Sequence, residues 1–338
     1  MPSVAPLPRA VFALDPVHLS MLFPDPIMAR LRGAAHIDPS LVVQDFGARG
    51  AAPALAEAEI LITGWGCPPL GPEVLAVAPR LRAVLHAAGS VRTLIGDALW
   101  SRGIAVSNAV AANAVPVAEY TLAMILLAGK DAFAQREGYR RTNTYPTTAQ
   151  TATSGNVGRR VGVIGASRVG RHLLQLLRSH DFEVLLYDPY VQPEEAAALG
   201  AVLVPLDELL QRSDIVSLHA PDTPQTHHML DRSGLALIRD GGVVINTSRG
   251  ALIDHAALTG ELGSGRLHAV LDVTDPEPLP ASSPLYRLPN VFLTPHIAGS
   301  LGNELGRLGA VVADELERMA AGLPLAHAVH RADLARVA

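Results

Sequence analysis

Apolar runs alternate along nearly the whole chain with segments in which apolar positions fall three or four apart. AVFAL (10–14), LVVQDF (41–46), EILITGW (59–65), LRAVLHAAG (81–89) and GIAVSNA (103–109) are short apolar runs that read as strands. Between them lie turns marked by Pro and Gly and Ala-rich helical patterns such as 72–78 and 95–101. A long helix runs from about Val117, and a Thr-rich stretch, 141–155, then breaks the pattern and reads as a loop. A second series follows: RVGVIG (160–165), EVLLYD (183–188), DIVSLHAP (214–221), GGVVINTS (241–248), HAVLDV (268–273) and VFLTPH (291–296). Leu305, Leu308, Val311, Val312, Leu316 and Met319 give the tail, 302–321, the spacing of an amphipathic helix. Strands alternating with helices imply parallel sheet, an α/β fold.

Length turns that pattern into an expectation of two domains, since 338 residues exceed the roughly 150 of one typical domain. With 49% hydrophobic and 17% charged residues the chain lies far from the disordered class. A net charge of −5 supplies no basic footprint for a phosphate backbone, so nucleic acid is not an expected partner. The lone cysteine, Cys67, makes no intrachain disulfide, and no metal site is expected. Prolines interrupt the N-terminal segment where a signal peptide needs an unbroken apolar helix. The stretch 109–129 has the length of a membrane span, but Asn113, Pro116, Glu119 and Thr121 interrupt it, which favours a buried or interface helix. No membrane association and a cytoplasmic location are the resulting expectations.

Chemistry enters at RVGVIGASRVG, 160–170. A dinucleotide site needs a tight strand-to-helix turn whose N–H groups face the pyrophosphate, and Gly165 and Gly170 stand where its first and third glycines belong. Ser167 replaces the middle glycine; its hydroxyl narrows the approach of the phosphate or donates to it. The next predicted strand ends in Asp188, where a carboxylate accepts from the adenosine ribose hydroxyls and repels a 2′-phosphate, favouring NAD over NADP. Further on, Arg249 follows one strand, Asp272 ends the next with Glu277 beyond it, and His296 ends a third. Ligands of open α/β sheets bind outside the carboxyl ends of the strands, so this set forms a candidate site.

The segments GVIGASRVG, YDPY, LHAPDTPQTHHML, INTSRGALID, DVTDPEPLP and NVFLTPHIAGS resemble, in order and spacing, the D-isomer-specific 2-hydroxyacid dehydrogenases, over about residues 40 to 320. The resemblance implies two Rossmann-like domains with a cleft between them. One is a flavodoxin-like substrate-binding domain, 1–107 with 299–338, and the other an NAD-binding domain, 108–298, whose segment 109–150 joins two subunits in a homodimer. It implies that Arg249 binds the substrate's carboxylate and carbonyl, that His296 is the acid/base and that Glu277 pairs with it. NAD would lie against Gly165, Ser167, Arg168, Val169, Gly170 and Asp188, with further contacts at His219, Pro221, Thr226, Thr247 and Gly299, and with Asp272 orienting the nicotinamide carboxamide.

The implied reaction is hydride transfer between NAD and a small 2-oxo or 2-hydroxy acid, of the glyoxylate or hydroxypyruvate reductase kind. Reduction leaves an alkoxide, which needs a cation beside it and a proton donor, and arginine and imidazolium supply these. In the substrate loop, HAAGSVRTLIG departs most from the family: Gly89, Ser90 and Val91 are the candidates for the carboxylate. Arg92 is either a surface or ion-paired arginine or a second carboxylate contact, and Trp65 either walls the pocket or packs in the core. Formate dehydrogenases share the resemblance but carry glutamine beside the histidine, and Glu277 argues against them. A nucleotide-sensing, corepressor-like binding protein of the same fold is the rival from another class, and turnover separates it. With only 323–338 beyond the tail helix, control through an appended regulatory domain is not expected.

Overall fold

In the computed structural model, which describes residues 6–334, every strand pairing is parallel. The chain divides into two compact units, Met1–Asn113 with Ser300–Ala338, and Ala114–Gly299.

The first unit carries β1 (Arg9–Ala13), β2 (His36–Val42), β3 (Ile60–Thr63), β4 (Ala83–His86) and β5 (Ala105–Asn108) in the order β2-β1-β3-β4-β5, the flavodoxin-like arrangement. Consecutive residues of a strand serve opposite faces. Phe12, Ile60, Ile62 and Leu85 pack on one side with Leu31, Leu308 and Leu316, while Val11, Leu61, Val84 and Val106 pack on the other with Leu55, Val74 and Leu99. Both faces are covered by helices, which is why these strands read as unbroken apolar runs. β2 departs from expectation: it begins at His36, ahead of the apolar LVV, and includes Asp38 and Pro39. At the edge of a sheet only one side of a strand is paired, so a proline without an N–H is tolerated there.

The second unit carries β6 (Arg159–Ile164), β7 (Phe182–Tyr187), β8 (Val202–Leu203), β9 (Ile215–Leu218), β10 (Val243–Asn246), β11 (His268–Leu271) and β12 (Val291–Leu293). Their order is β12-β11-β10-β9-β6-β7-β8, so the strand order reverses between β6 and β9 while all strands stay parallel, the point where such sheets bind dinucleotides. β8, a two-residue edge strand, is too short to show a pattern in the sequence. The helix Val110–Gly129 lays Ala118, Met124, Ile125 and Ala128 on Val161, Val163, Ile245 and Val270. It is long and apolar enough to cross a membrane by length and composition, yet its face is core and Leu127 is 40% exposed. The Thr-rich stretch is less irregular than expected. The helix Ala132–Thr142 enters it, and Thr147 and Gln150 form a reciprocal cap on a short turn, Thr148–Thr151.

Candidate active site

The strand-to-helix turn after β6 is built so that only glycine fits at two positions. A Cβ on Gly165, whose φ is +98°, would lie 2.6 Å from the Ala220 N, and one on Gly170 would lie 2.1 Å from the Gly165 carbonyl oxygen. Helix and strand therefore approach backbone to backbone. Ser167 is the N-cap of the helix Arg168–Leu177, and its Oγ accepts from the Gly170 N–H at 3.3 Å. The serine thus turns toward the helix and leaves the first-turn N–H groups of Arg168 and Val169 without intrahelical acceptors, as an anion site requires. Asp188, at the end of β7, accepts from the N–H groups of Ala166 at 2.7 Å and Tyr190 at 2.8 Å. Each carboxylate oxygen keeps a lone pair for a ribose hydroxyl. These residues fit a dinucleotide.

Three loops at the ends of β10, β11 and β12 hold the remaining polar set. His296 Nδ1 lies 2.7 Å from Glu277 Oε1, with both side chains nearly half exposed. The histidine backbone is left-handed, φ +54°, a conformation costing a side-chain-bearing residue about 1 kcal/mol or more. Asp272 sustains it. The His296 N–H donates to the Asp272 carbonyl at 2.9 Å, and the Asp272 carboxylate accepts from Thr294 Oγ1 at 2.7 Å and from the N–H groups of Ile297 at 2.8 Å and Ala298 at 2.9 Å. Thr294 Oγ1 in turn accepts from the Tyr120 hydroxyl at 2.8 Å, and burial pushes the Tyr120 phenol above its ordinary pKa. Arg249 follows β10 with its Nη1 donating to the Ser248 carbonyl at 2.6 Å. Gly250 beside it packs where a Cβ would meet the Thr274 carbonyl at 2.1 Å, so the arginine loop is pressed onto the loop that leads to Glu277. A cavity of about 900 Å³ opens beside the pair, lined by Glu277, His296, Phe133, Tyr286 and Phe292 among others.

Other expected residues divide by where their side chains point. His219 is buried, its Nε2 2.8 Å from Ser217 Oγ, and burial pushes its pKa down to about 3. Thr247 is buried with its Oγ1 2.8 Å from Thr121 Oγ1, which donates onward to the Val117 carbonyl. For both, the side chain faces the interior and only the backbone remains at the strand end. Thr226 Oγ1 donates to the Pro221 carbonyl at 2.6 Å, closing the loop after β9 on itself, and Gly299 ends the turn that Asp272 anchors. In the first unit Val91 points into the core. The N–H groups of Gly89, Ser90 and Val91 have no protein acceptor among the described residues, whereas Ala87 N–H donates to the Thr63 carbonyl at 2.7 Å and Arg92 N–H to Ser90 Oγ at 3.3 Å. Such unpaired N–H groups at a strand end suit an anion. Trp65 is 37% exposed, set edge-on to the His18 ring. Tyr120 and Thr294 were not legible as site residues; Thr294 had its signal in the LTPH segment, Tyr120 none.

A family model described as "D-isomer specific 2-hydroxyacid dehydrogenase, NAD binding domain" matches residues 122–298. The D-3-phosphoglycerate dehydrogenase of Mycobacterium tuberculosis is 37% identical over 251 residues, 74% of this chain and 47% of that one, so the chain spans about half the length of such relatives. The glyoxylate reductase of Korarchaeum cryptofilum is 32% identical over 254 residues, 73% of this chain and 76% of that one. The solved apo structure of Rhodotorula graminis D-mandelate dehydrogenase superposes with a TM-score of 0.80 at 26% identity, covering 96% of this chain and 98% of the other.

Proposed function

Since the chain belongs to the D-isomer specific 2-hydroxyacid dehydrogenase family, whose coenzyme is NAD, we propose that it interconverts a small 2-oxo acid and its D-2-hydroxy acid. The observation that carries this reading is the 2.7 Å His296–Glu277 pair at the end of β12, in the same unit as the glycine turn and Asp188. When bound, NAD supplies or accepts the hydride; Gly165, Gly170 and the first-turn N–H groups hold its pyrophosphate and Asp188 its ribose.

The chain's own residues do the rest. As the oxo carbon is reduced, negative charge develops on its oxygen, and the Arg249 guanidinium stabilises that charge from a fixed fork. With Nδ1 committed to Glu277, His296 has Nε2 left to give the proton that converts alkoxide to hydroxyl. Glu277 fixes the ring's direction. In the oxidative direction the same nitrogen takes the proton back. Asp272 keeps the His296 turn in its left-handed form, and the open N–H groups of Gly89, Ser90 and Val91 receive the substrate's carboxylate. The helix Val110–Gly129 and the segment after it pair two copies of the chain, a reading supported by exposed Leu127 and by Tyr139 and Tyr145, stacked at 5.7 Å with 50% and 85% exposure.

The test is NADH oxidation with glyoxylate, hydroxypyruvate, pyruvate and phenylpyruvate. At least one is expected to be reduced, to the D product, with a higher kcat/KM for NADH than for NADPH. Tight NADH binding without turnover of any of them would overturn the enzyme reading in favour of a nucleotide-sensing protein, and equal efficiency with NADPH would remove the role given to Asp188.

A further inference from the structure

The segments that leave the carboxyl ends of β1, β3 and β4 form one edge of the first unit. Asp15 N–H donates to the Trp65 carbonyl at 2.8 Å, and Ala87 N–H to the Thr63 carbonyl at 2.7 Å, so the Trp65 segment lies between the loop after β1 and the turn Gly89–Val91. Gly66, at φ +80°, fixes the tryptophan backbone further: a Cβ there would lie 2.7 Å from the Asp15 Cβ. The indole stands edge-on to His18, ring centroids 5.5 Å apart at 63°. It is 37% exposed, and the segment that carries His18 also exposes Val17 (61%) and Met21 (39%). Charge is sparse at this edge. Segments 14–18, 64–70 and 87–96 contain one arginine, Arg92, and one carboxylate, Asp15, whose Oδ1 accepts from the Val17 N–H at 3.0 Å. Cys67 offers no anion chemistry either, since burial pushes its thiol up to about 12. A phosphate ester is held by several cationic or N–H donors, whereas a ring face next to other apolar atoms suits an aromatic or branched apolar group.

We propose that Trp65, braced by His18, receives the side chain of the 2-oxo acid whose carboxylate occupies the Gly89–Val91 turn, and that the preferred substrates carry an aromatic or branched apolar side chain instead of a phosphate. The inference rests on the reductase reading above and narrows its substrate class. It sets this chain apart from its phosphoglycerate dehydrogenase relatives.

Two measurements decide it. In NADH-dependent turnover, phenylpyruvate is expected to exceed 3-phosphohydroxypyruvate in kcat/KM by about tenfold or more. Trp65→Ala should remove that advantage by lowering kcat/KM for phenylpyruvate far more than for glyoxylate, which has no side chain, and Trp65→Phe should keep most of it. A preference for the phosphorylated acid, or an equal loss for every acid in Trp65→Ala, would overturn the assignment and leave the reductase reading standing. If no acid is turned over, the reductase reading falls, and binding decides the remainder. Trp65 and Trp100 are the only tryptophans, so D-3-phenyllactate should change an emission signal that Trp65→Phe abolishes. No change on saturation with NADH and D-3-phenyllactate would overturn the aromatic site.

Discussion

His86 shows how burial alone sets the behaviour of a single residue. It ends β4 at 6% exposure with Nδ1 2.9 Å from Thr63 Oγ1, and burial pushes its pKa down to about 4. In the unfolded chain a histidine takes its proton near 6.5. Between those values the unfolded state binds more protons than the folded one, so stability is full at neutral pH and declines as pH falls from about 6.5 toward 4. The loss from this group alone should reach about 2 kcal/mol by pH 5. His86→Gln is expected to show a flatter dependence of its urea midpoint on pH between 7 and 5 than the unmodified protein, and parallel curves would refute the assignment. His219 acts with the same sign in the other unit, where burial takes it to about 3. Single residues were also where the sequence was most and least informative. Gly165, Gly170 and Asp188 were legible because a tight turn and a ribose demand those residue types, whereas the inward aim of His219 and Thr247 depends on which face of the strand end each occupies.

At the scale of elements, the turn from Thr294 to Ala298 is the one the proposed chemistry depends on. Its geometry comes from the end of β11, where one carboxylate gathers two N–H groups and a hydroxyl. Asp272→Asn places an amide NH2 where an acceptor is needed and leaves at least one of these donors unpaired, a cost of about 1–3 kcal/mol. We expect the variant to lose kcat by about tenfold or more as His296 leaves its left-handed conformation, with NADH affinity measured by fluorescence changed far less. Tyr120→Phe, which removes only the outer hydroxyl of the chain, should have the same direction and a smaller size. An Asp272→Asn enzyme with unchanged kcat would show that the turn holds itself. The β11 and β12 ends were readable because DVTDPEPLP and VFLTPHIAGS keep strand and motif in register. The Tyr120 contact was not, since it joins residues 174 positions apart and arises only once the helix Val110–Gly129 packs on the sheet. The start of β2 and the whole of β8 escaped for a related reason: edge strands bury less, so their sequences are less constrained to be apolar.

For the whole molecule, two parallel sheets followed from the alternation of apolar runs and helical patterns, and strand order did not, because order is set by which crossover packs where. Assembly belongs to this scale. Light scattering should give twice the chain mass at micromolar concentration, the signature of a C2 homodimer, and Leu127→Lys should lower it; a stable monomer of the unmodified chain would contradict the pairing proposed above. The central claim is that His296 and Glu277 work as one proton-transferring unit. The two side chains are joined at 2.7 Å, so the carboxylate acts on the reaction only through the imidazole. His296→Ala removes the proton donor and should lower kcat for oxo-acid reduction by about 10²- to 10⁴-fold, and Glu277→Gln, which keeps the shape and removes the carboxylate, should lower it by less. The most direct measurement is kcat in these two variants and in the double variant, with NADH saturating. The account predicts that the double variant loses no more than His296→Ala alone, because residues acting as a unit are not additive; losses that add, in enzymes that bind NADH equally, would contradict it.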